Sequence, residues 1–308
     1  MTDKSLSQVV ISGASGFIGS HLTRHLIESG VAVTAIDLPN RRDRLPDEVA
    51  YIPCNLADAM TSDLSQLPQN PDAFFHLAWH GVDPESRNNY EIQVENISHC
   101  LTALRIAANC QAKRFLLPGS TFEYQYNDAL INAQSLPTPM NAYAAAKVAA
   151  RYLCTTLAKD LQIPLLYAVI TSVYGVGRED SNVVFYTIDC LLHGIKPSLT
   201  PLQQRWDFIS IDDVVPALIA IAERGHDNAF YAVGRGDNLP LCEFLKIIRD
   251  LIDPALELGI GELAYSDDKI PCSAVDVLPL EQDTGFRAKK SFAEGMSELI
   301  AHYRRKPL

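Results

Sequence analysis

Tyr143 and Lys147 are separated by three alanines in the stretch Asn-Ala-Tyr-Ala-Ala-Ala-Lys that ends at Lys147. Residues four apart on a helix share a face, so this pair would present a phenol and an ammonium to one site. Such a pair suits proton transfer. A free phenol titrates near pH 10, and working near neutrality demands a shift of about 3 units, or about 4 kcal/mol. One positive charge about 4 Å away supplies about that amount at an effective dielectric of about 20. A second Tyr-x-x-x-Lys, Tyr265 to Lys269, has no helical pattern around it and is followed by Ile-Pro, so it reads as a surface loop. His76 and His80 are also four apart, but His76 falls in a strand, where that spacing does not pair side chains. With no third ligand evident, no metal site is expected.

The elements that would carry these groups alternate along the chain. Strand-like runs and helix-length segments follow one another at 9–12, 19–28, 32–37, 73–77, 91–108, 114–117, 142–161 and 165–169. That rhythm implies βαβ units and a parallel sheet, hence an α/β, Rossmann-like doubly wound fold. It breaks after about Tyr174, where Gly175, Gly177, Gly194, Pro197 and Pro201 interrupt a mixed region. A dinucleotide-binding domain over 1–172 and a smaller α/β substrate-binding domain over 173–308 are expected, with some later segments packing back on the first. Residues 270–286 read as loops.

The first strand ends in Gly-Ala-Ser-Gly-Phe-Ile-Gly, residues 13–19. The helix that follows offers unpaired N–H groups and roughly half a positive charge, so a pyrophosphate fits there if no side chain blocks it. Gly13, Gly16 and Gly19 would supply the turn, the close approach and the helix–sheet packing. The second strand ends at Asp37, about 20 residues on, placed to accept from a ribose 2′-hydroxyl. Asp37 favours NAD, because it would repel a 2′-phosphate. Arg41 and Arg42 lie just beyond and leave NADP open.

The one-residue-longer spacing, G-x-x-G-x-x-G, resembles that of the extended short-chain dehydrogenases/reductases, the group holding NAD(P)-dependent nucleotide-sugar epimerases, dehydratases and reductases. The likeness runs through nearly the whole chain. Residues 74–79 (FFHLAW) resemble the segment that passes under the cofactor. Residues 51–58 (YIPCNLAD) resemble the adenine-side loop, with Asn55 where an Asp is usual. The resemblance implies cofactor contacts from Ser15, Phe17, Ile18, Leu56, Leu77, Ala78, Trp79 and Ile170 beside the glycines and Asp37, and support from Asn96. It also implies that Tyr143 is the acid/base and that Lys147 aids it and holds the cofactor.

Residues 116–124 (LLPGSTFEY) resemble the family's S-S-x-x-x-Y-G stretch, which makes Ser120 the hydroxyl that bonds the reacting oxygen. In sugar 4,6-dehydratases an Asp-Glu pair follows that hydroxyl. Here Thr121 and Phe122 stand there, so dehydration is not expected. Residues 205–221 resemble the R-D-[FY]-[IV] segment that grips a diphosphate, with Arg205 one place early. Residues 172–177 (SVYGVG) resemble N-V-Y-G-P-G, with Ser172 for Asn. His80, Thr121, Ser172, Asn182 and Arg205 are therefore the expected substrate contacts.

Composition sets the outer limits. The net charge of −11 over 308 residues argues against non-specific nucleic-acid or acidic-membrane binding. No apolar run approaches the ~18 residues of a membrane span. The polar first residues lead straight into a strand, so no signal peptide is expected. Seven scattered cysteines without a C-x-x-C pair read as reduced thiols in a cytoplasmic protein. Helices 91–108 and 142–161 carry apolar residues beyond one stripe, which fits a homodimer pairing them, with Cys100 and Ala149 on the outer side. Three functions compete: a reductase of a 4-keto-6-deoxy nucleotide sugar for surface polysaccharide, a 4-epimerase retaining its NAD, and a non-catalytic NAD(P)-binding sensor. Residues 259–276 and the PGSTFEY stretch resemble bacterial deoxysugar reductases and favour the first, and the retention of Tyr143, Lys147 and Ser120 disfavours the last.

Overall fold

The computed structural model describes residues 5–59, 61–125, 129–178, 182–265 and 271–305. β1 (Gln8–Ser12) leads into α1 (Phe17–Glu28), followed by β2 (Ala32–Asp37), β3 (Ala50–Pro53) and β4 (Ala73–His76). Next come α2 (Tyr90–Asn109), β5 (Phe115–Ser120), α3 (Ala142–Asp160) and β6 (Leu165–Ile170). The chain continues through β7 (Ser172–Tyr174), α4 (Val183–Leu192), β8 (Ser198–Leu199), β9 (Arg205–Trp206) and β10 (Phe208–Ser210). It ends with α5 (Ile211–Arg224), β11 (Phe230–Val233), β12 (Leu239–Pro240), α6 (Leu241–Ile252), β13 (Gly259–Ile260), α7 (Leu278–Thr284) and α8 (Phe292–Arg305).

Seven parallel strands form one sheet in the order β11-β6-β5-β4-β1-β2-β3. Strands covered on both faces must be apolar throughout, and β6 (Leu-Leu-Tyr-Ala-Val-Ile) is buried at every position. One face is packed by Leu22 and Leu26 of α1 with Leu218 and Ile221 of α5. The other is packed by Cys100 and Leu104 of α2 with Ala150 and Cys154 of α3. Between β4 and β1 the strand order reverses, and the crevice outside the carboxyl ends at such a reversal is where doubly wound sheets take ligands.

The chain beyond 172 does not stay apart from this sheet. β11 pairs with β6, and α5 packs on α1, so both belong to the first core. A separate cluster of Phe185, Phe208, Phe244, Phe292 and Met296 holds most of the later elements together. Residues 271–286 are not all loop: α7 opens with a proline in its first turn and stops at Gly285, whose φ is 70°. Seven residues are too few to show a helical period. Part of the expected adenine-side loop is likewise a strand, since β3 pairs with β2. Cys100, expected on the outer side of its helix, is fully buried against α3. Lys269 of the second Tyr-x-x-x-Lys lies outside the described residues.

Candidate active site

Two cavities meet at the switch point. One of 520 Å³ is lined by Gly13, Phe17, Ile18, Gly19, Ser120, Thr121, Tyr143, Lys147, Ile170 and Ser172 among others. A second of 490 Å³ is lined by Ser15, Asp37, Asn55, Leu56, Ala78, His80 and Asn96. Gly13, Gly16, Leu77 and Trp79 border both, so the two form one bent groove.

The glycine turn is shaped for close approach. A Cβ on Gly13, whose φ is +76°, would stand 2.5 Å from the Ala78 nitrogen. One on Gly19 would stand 2.2 Å from the Gly13 carbonyl oxygen. Gly16 caps α1 without any side chain on the first N–H groups, leaving them open to an anion. Asp37 ends β2 nearly buried, its Oδ2 accepting the Ser15 N–H at 2.7 Å and its Oδ1 that of Leu38 at 2.8 Å. A carboxylate has about four acceptor positions, so it retains room for a ribose hydroxyl. The cradle fits a dinucleotide: an anion site at the helix start, an acid about 20 residues on, and a groove running between them.

Supporting residues close the second cavity. Asn96 holds the loop after β4, its Oδ1 accepting the His80 N–H at 2.9 Å and its Nδ2 donating to the His80 carbonyl at 2.8 Å. His80, expected at the substrate mouth, lines the second cavity together with Asp37 and Asn55. Asn55 caps a short turn by accepting from Ala57 N–H at 3.2 Å. Arg41 lines this cavity, but Arg42 does not: its guanidinium donates to the carbonyls of Leu45 and Pro46. Arg44 stands beside Arg41 instead.

The chemical centre sits where β5 and α3 converge. Ser120 ends β5 and Tyr143 lies near the start of α3, and both line the first cavity; the Ser120 hydroxyl accepts from the Phe122 N–H at 3.3 Å. Trp79 and Phe122 meet the Tyr143 ring edge-on at 5.8 and 6.2 Å. One helical turn on, Lys147 is buried, donating to the Pro118 carbonyl at 3.0 Å with its nitrogen 3.7 Å over the Trp79 ring. Burial governs the titration of both groups. It pushes the Tyr143 phenol up to about 12 and brings the Lys147 ammonium down to about 8. Desolvation acts here in the opposite sense to the fall that a neighbouring positive charge produces.

Of the expected substrate contacts, Thr121 and Ser172 line the first cavity. Thr121 accepts from the Ser273 hydroxyl at 2.5 Å, and Ser172 from Trp206 Nε1 at 2.9 Å. Asn182 and Arg205 line neither cavity. Asn182 caps α4, accepting from the N–H groups of Val184 and Phe185, and Arg205 is exposed on β9, donating to the Asn238 carbonyl. Two guanidiniums that sequence reasoning passed over, Arg87 and Arg178, line the first cavity and face Tyr143. Glu123 was also passed over. It lies fully buried under Ser120, accepting its N–H at 2.7 Å and the Tyr167 hydroxyl at 2.8 Å. His76 is buried in β4 and bonds Ser12 Oγ at 2.7 Å, and no group of three or more potential metal ligands occurs among the described residues.

Comparison with known proteins agrees with this arrangement. Residues 9–234 match the model of the NAD dependent epimerase/dehydratase family, and the chain belongs to that family. GDP-6-deoxy-D-mannose reductase of Pseudomonas aeruginosa is 25% identical over 262 residues, 82% of each chain. CDP-abequose synthase of Salmonella typhimurium is 27% identical over 306 residues, 95% of this chain and 97% of that one. Among solved structures, UDP-N-acetylglucosamine 4-epimerase from Methanobrevibacter ruminantium shares the fold with a TM-score of 0.84 at 22% identity, covering 98% and 99% of the two chains. The family is NAD-dependent, and the residues of the groove described above fit that cofactor.

Asp37→Ala should weaken NADH and leave NADPH little changed, because it removes a ribose acceptor and a charge that repels a 2′-phosphate. Fluorescence titration of both cofactors checks this. Native protein binding NADPH about tenfold or more tightly than NADH would show that Arg41 and Arg44 dominate.

Proposed function

We propose that this protein is a cytoplasmic NAD(P)H-dependent reductase of a nucleotide-linked 4-keto-6-deoxy sugar, serving surface-polysaccharide synthesis. What supports the reading is the convergence of Ser120, Tyr143 and Lys147 on the wall of one cavity beside the open start of α1, with no acid or base at positions 121 and 122. Reduction of a ketone needs a proton donor at the carbonyl oxygen, whereas the opposite direction needs a phenolate from the start. The cofactor, in reduced form, supplies the hydride. Tyr143 donates its proton to the oxygen, and Ser120 donates a hydrogen bond to the same atom as charge develops there. Lys147 supplies the positive charge that restrains the resulting phenolate and binds the ribose beside the nicotinamide. Thr121, Ser172, Arg87 and Arg178 lie on the walls that would hold the sugar nucleotide.

Elimination of water is not supported. It needs an acid and a base at the sugar, and neither Thr121 nor Phe122 supplies one. Glu123 faces inward and lines neither cavity. The relatives named as a GDP-6-deoxy-D-mannose reductase and a CDP-abequose synthase agree with deoxysugar chemistry. All seven cysteines are free thiols, and no described helix is long and apolar enough to cross a membrane.

Tyr143→Phe should lower kcat by about 10²–10⁴ while leaving NADH affinity nearly unchanged. A variant keeping more than about a tenth of native kcat would remove Tyr143 from the mechanism. Native protein should exchange freely with added NADH, whereas tightly retained NAD would favour a 4-epimerase.

A homodimer follows from the exposed apolar face of the paired helices. On α2, Val94 is 63% exposed, and on α3 Tyr152 and Leu153 are 55% and 49% exposed. A second copy pairing these helices about a two-fold axis would cover them. Light scattering should give twice the 34.0 kDa of one chain. Val94→Glu with Tyr152→Glu should return it to one chain, and a native monomer at micromolar concentration would refute the pairing.

A further inference from the structure

An ammonium ion kept from water needs something nearby to offset its charge. Lys147 is buried, yet it forms no ion pair among the described residues. It meets the Pro118 carbonyl at 3.0 Å and the face of Trp79, with Nζ 3.7 Å from the ring centre. The other cation–ring contacts among the described residues span 4.8 to 6.0 Å. The face of an aromatic ring is the negative side of its quadrupole, and indole is the best of the aromatic partners for a cation. The same ring also meets Tyr143, 5.8 Å between centres and 80° between planes, so it touches both members of the pair.

The ring is itself held. An indole N–H taken from water seeks an acceptor, and Trp79 Nε1 donates to Gln93 Oε1 at 3.0 Å. Gln93 is buried on α2, and its amide is fully used. Nε2 donates to the carbonyls of Gly81 at 2.7 Å and Ser86 at 3.2 Å, and Oε1 also accepts from Asn96 Nδ2 at 3.4 Å. Turning the amide over would set its oxygen against two carbonyls, so its acceptor is committed to Trp79. The contacts therefore run from α2 to the indole after β4, and from the indole to Lys147 on α3.

We propose that Trp79 is a positioning residue: its indole face, locked by the Gln93 amide, seats the Lys147 ammonium ion beside Tyr143. An ammonium has three N–H donors, and the carbonyl and the ring engage two of them, leaving one for the groove. The proposal rests on Lys147 being the cation of the reacting set, and is independent of the reaction's direction. The titratable groups around Lys147 are Tyr143 on its own helix, Cys100 on α2 with His76 of β4 beyond it, and Glu123 under Ser120. All four stay unchanged in the variants that follow.

The test reads the ammonium itself, with neither substrate nor cofactor added. Lysines are labelled with carbon-13 at Cε, and the magnetic resonance signal missing from Lys147→Met is that of Lys147. It is followed from about pH 6 to about 11, a window that spans an amine titrating near 8. In native protein the ε-protons should lie upfield of those of the other lysines, displaced by the ring current of the indole. Trp79→Leu should remove that displacement and lower the titration midpoint by about one unit, because the ring favours the charged form. Trp79→Phe keeps a weaker face and should lower the midpoint by less, while Gln93→Leu frees the indole and should reduce the displacement. Native ε-protons lying with those of the other lysines overturn the proposal, as does a midpoint unmoved or raised in Trp79→Leu. A fall in Trp79→Phe equal to that in Trp79→Leu makes the ring a filler of space and overturns it too. If Trp79→Leu does not fold, an unmoved midpoint in Trp79→Phe overturns it. A displacement unchanged in Gln93→Leu refutes the lock.

Discussion

Backbone meets backbone where the turn after β1 crosses the segment after β4, and the rest of the site depends on that contact. Gly13 allows it, because a Cβ there would stand 2.5 Å from the Ala78 nitrogen; Gly19 lets α1 pack on the same turn, since a Cβ there would stand 2.2 Å from the Gly13 carbonyl oxygen. With no side chain between them, β1 and β4 bring the open N-terminus of α1 against Leu77, Ala78 and Trp79. The groove for a dinucleotide is what remains. Asp37 then serves two purposes, tying down Ser15 and keeping acceptor positions for a ribose. A substituent at Gly13 would push the turn after β1 off the segment after β4, and one at Gly19 would push α1 off that turn, which links the fold directly to the capacity to bind cofactor.

Enclosure also sets the chemistry. A parallel sheet covered on both faces delivers Ser120, Tyr143 and Lys147 to a place with little water, and desolvation moves the phenol and the ammonium in opposite directions. Each moves toward its neutral form. A neutral phenol can donate a proton. Glu123, reached through a tight turn after β5, lies buried beneath Ser120 and accepts its N–H.

Local spacing made much of this visible in the sequence. The alternation of strands and helices follows from period and composition, and the Tyr143–Lys147 pair and the glycine turn follow from distances of three and four residues along one helix or turn. What escaped depends on contacts between distant parts of the chain. Thr121 meets Ser273 across 152 positions, and the Asn96 amide holds the His80 backbone from another element, beside the second cavity. Asn182 and Arg205 were assigned by resemblance, and each is occupied where it stands, one capping α4 and the other bonding Asn238. Glu123 carried a local signal, an acid three residues after Ser120, the capping-box spacing. Positions 121 and 122 are those of the dehydratase pair, whereas the side chain at 123 folds back under Ser120.

The account's central claim is that the site delivers hydride and a proton to a ketone on a nucleotide-linked sugar. The direct measurement uses NADH carrying deuterium at both C4 positions, with GDP-, CDP- and dTDP-linked 4-keto-6-deoxyhexoses as substrates and mass spectrometry of the products. One deuterium appearing in the sugar of at least one product, with one equivalent of NADH oxidised, is the predicted result. An epimerised sugar nucleotide free of deuterium, formed without consumption of NADH, would contradict it.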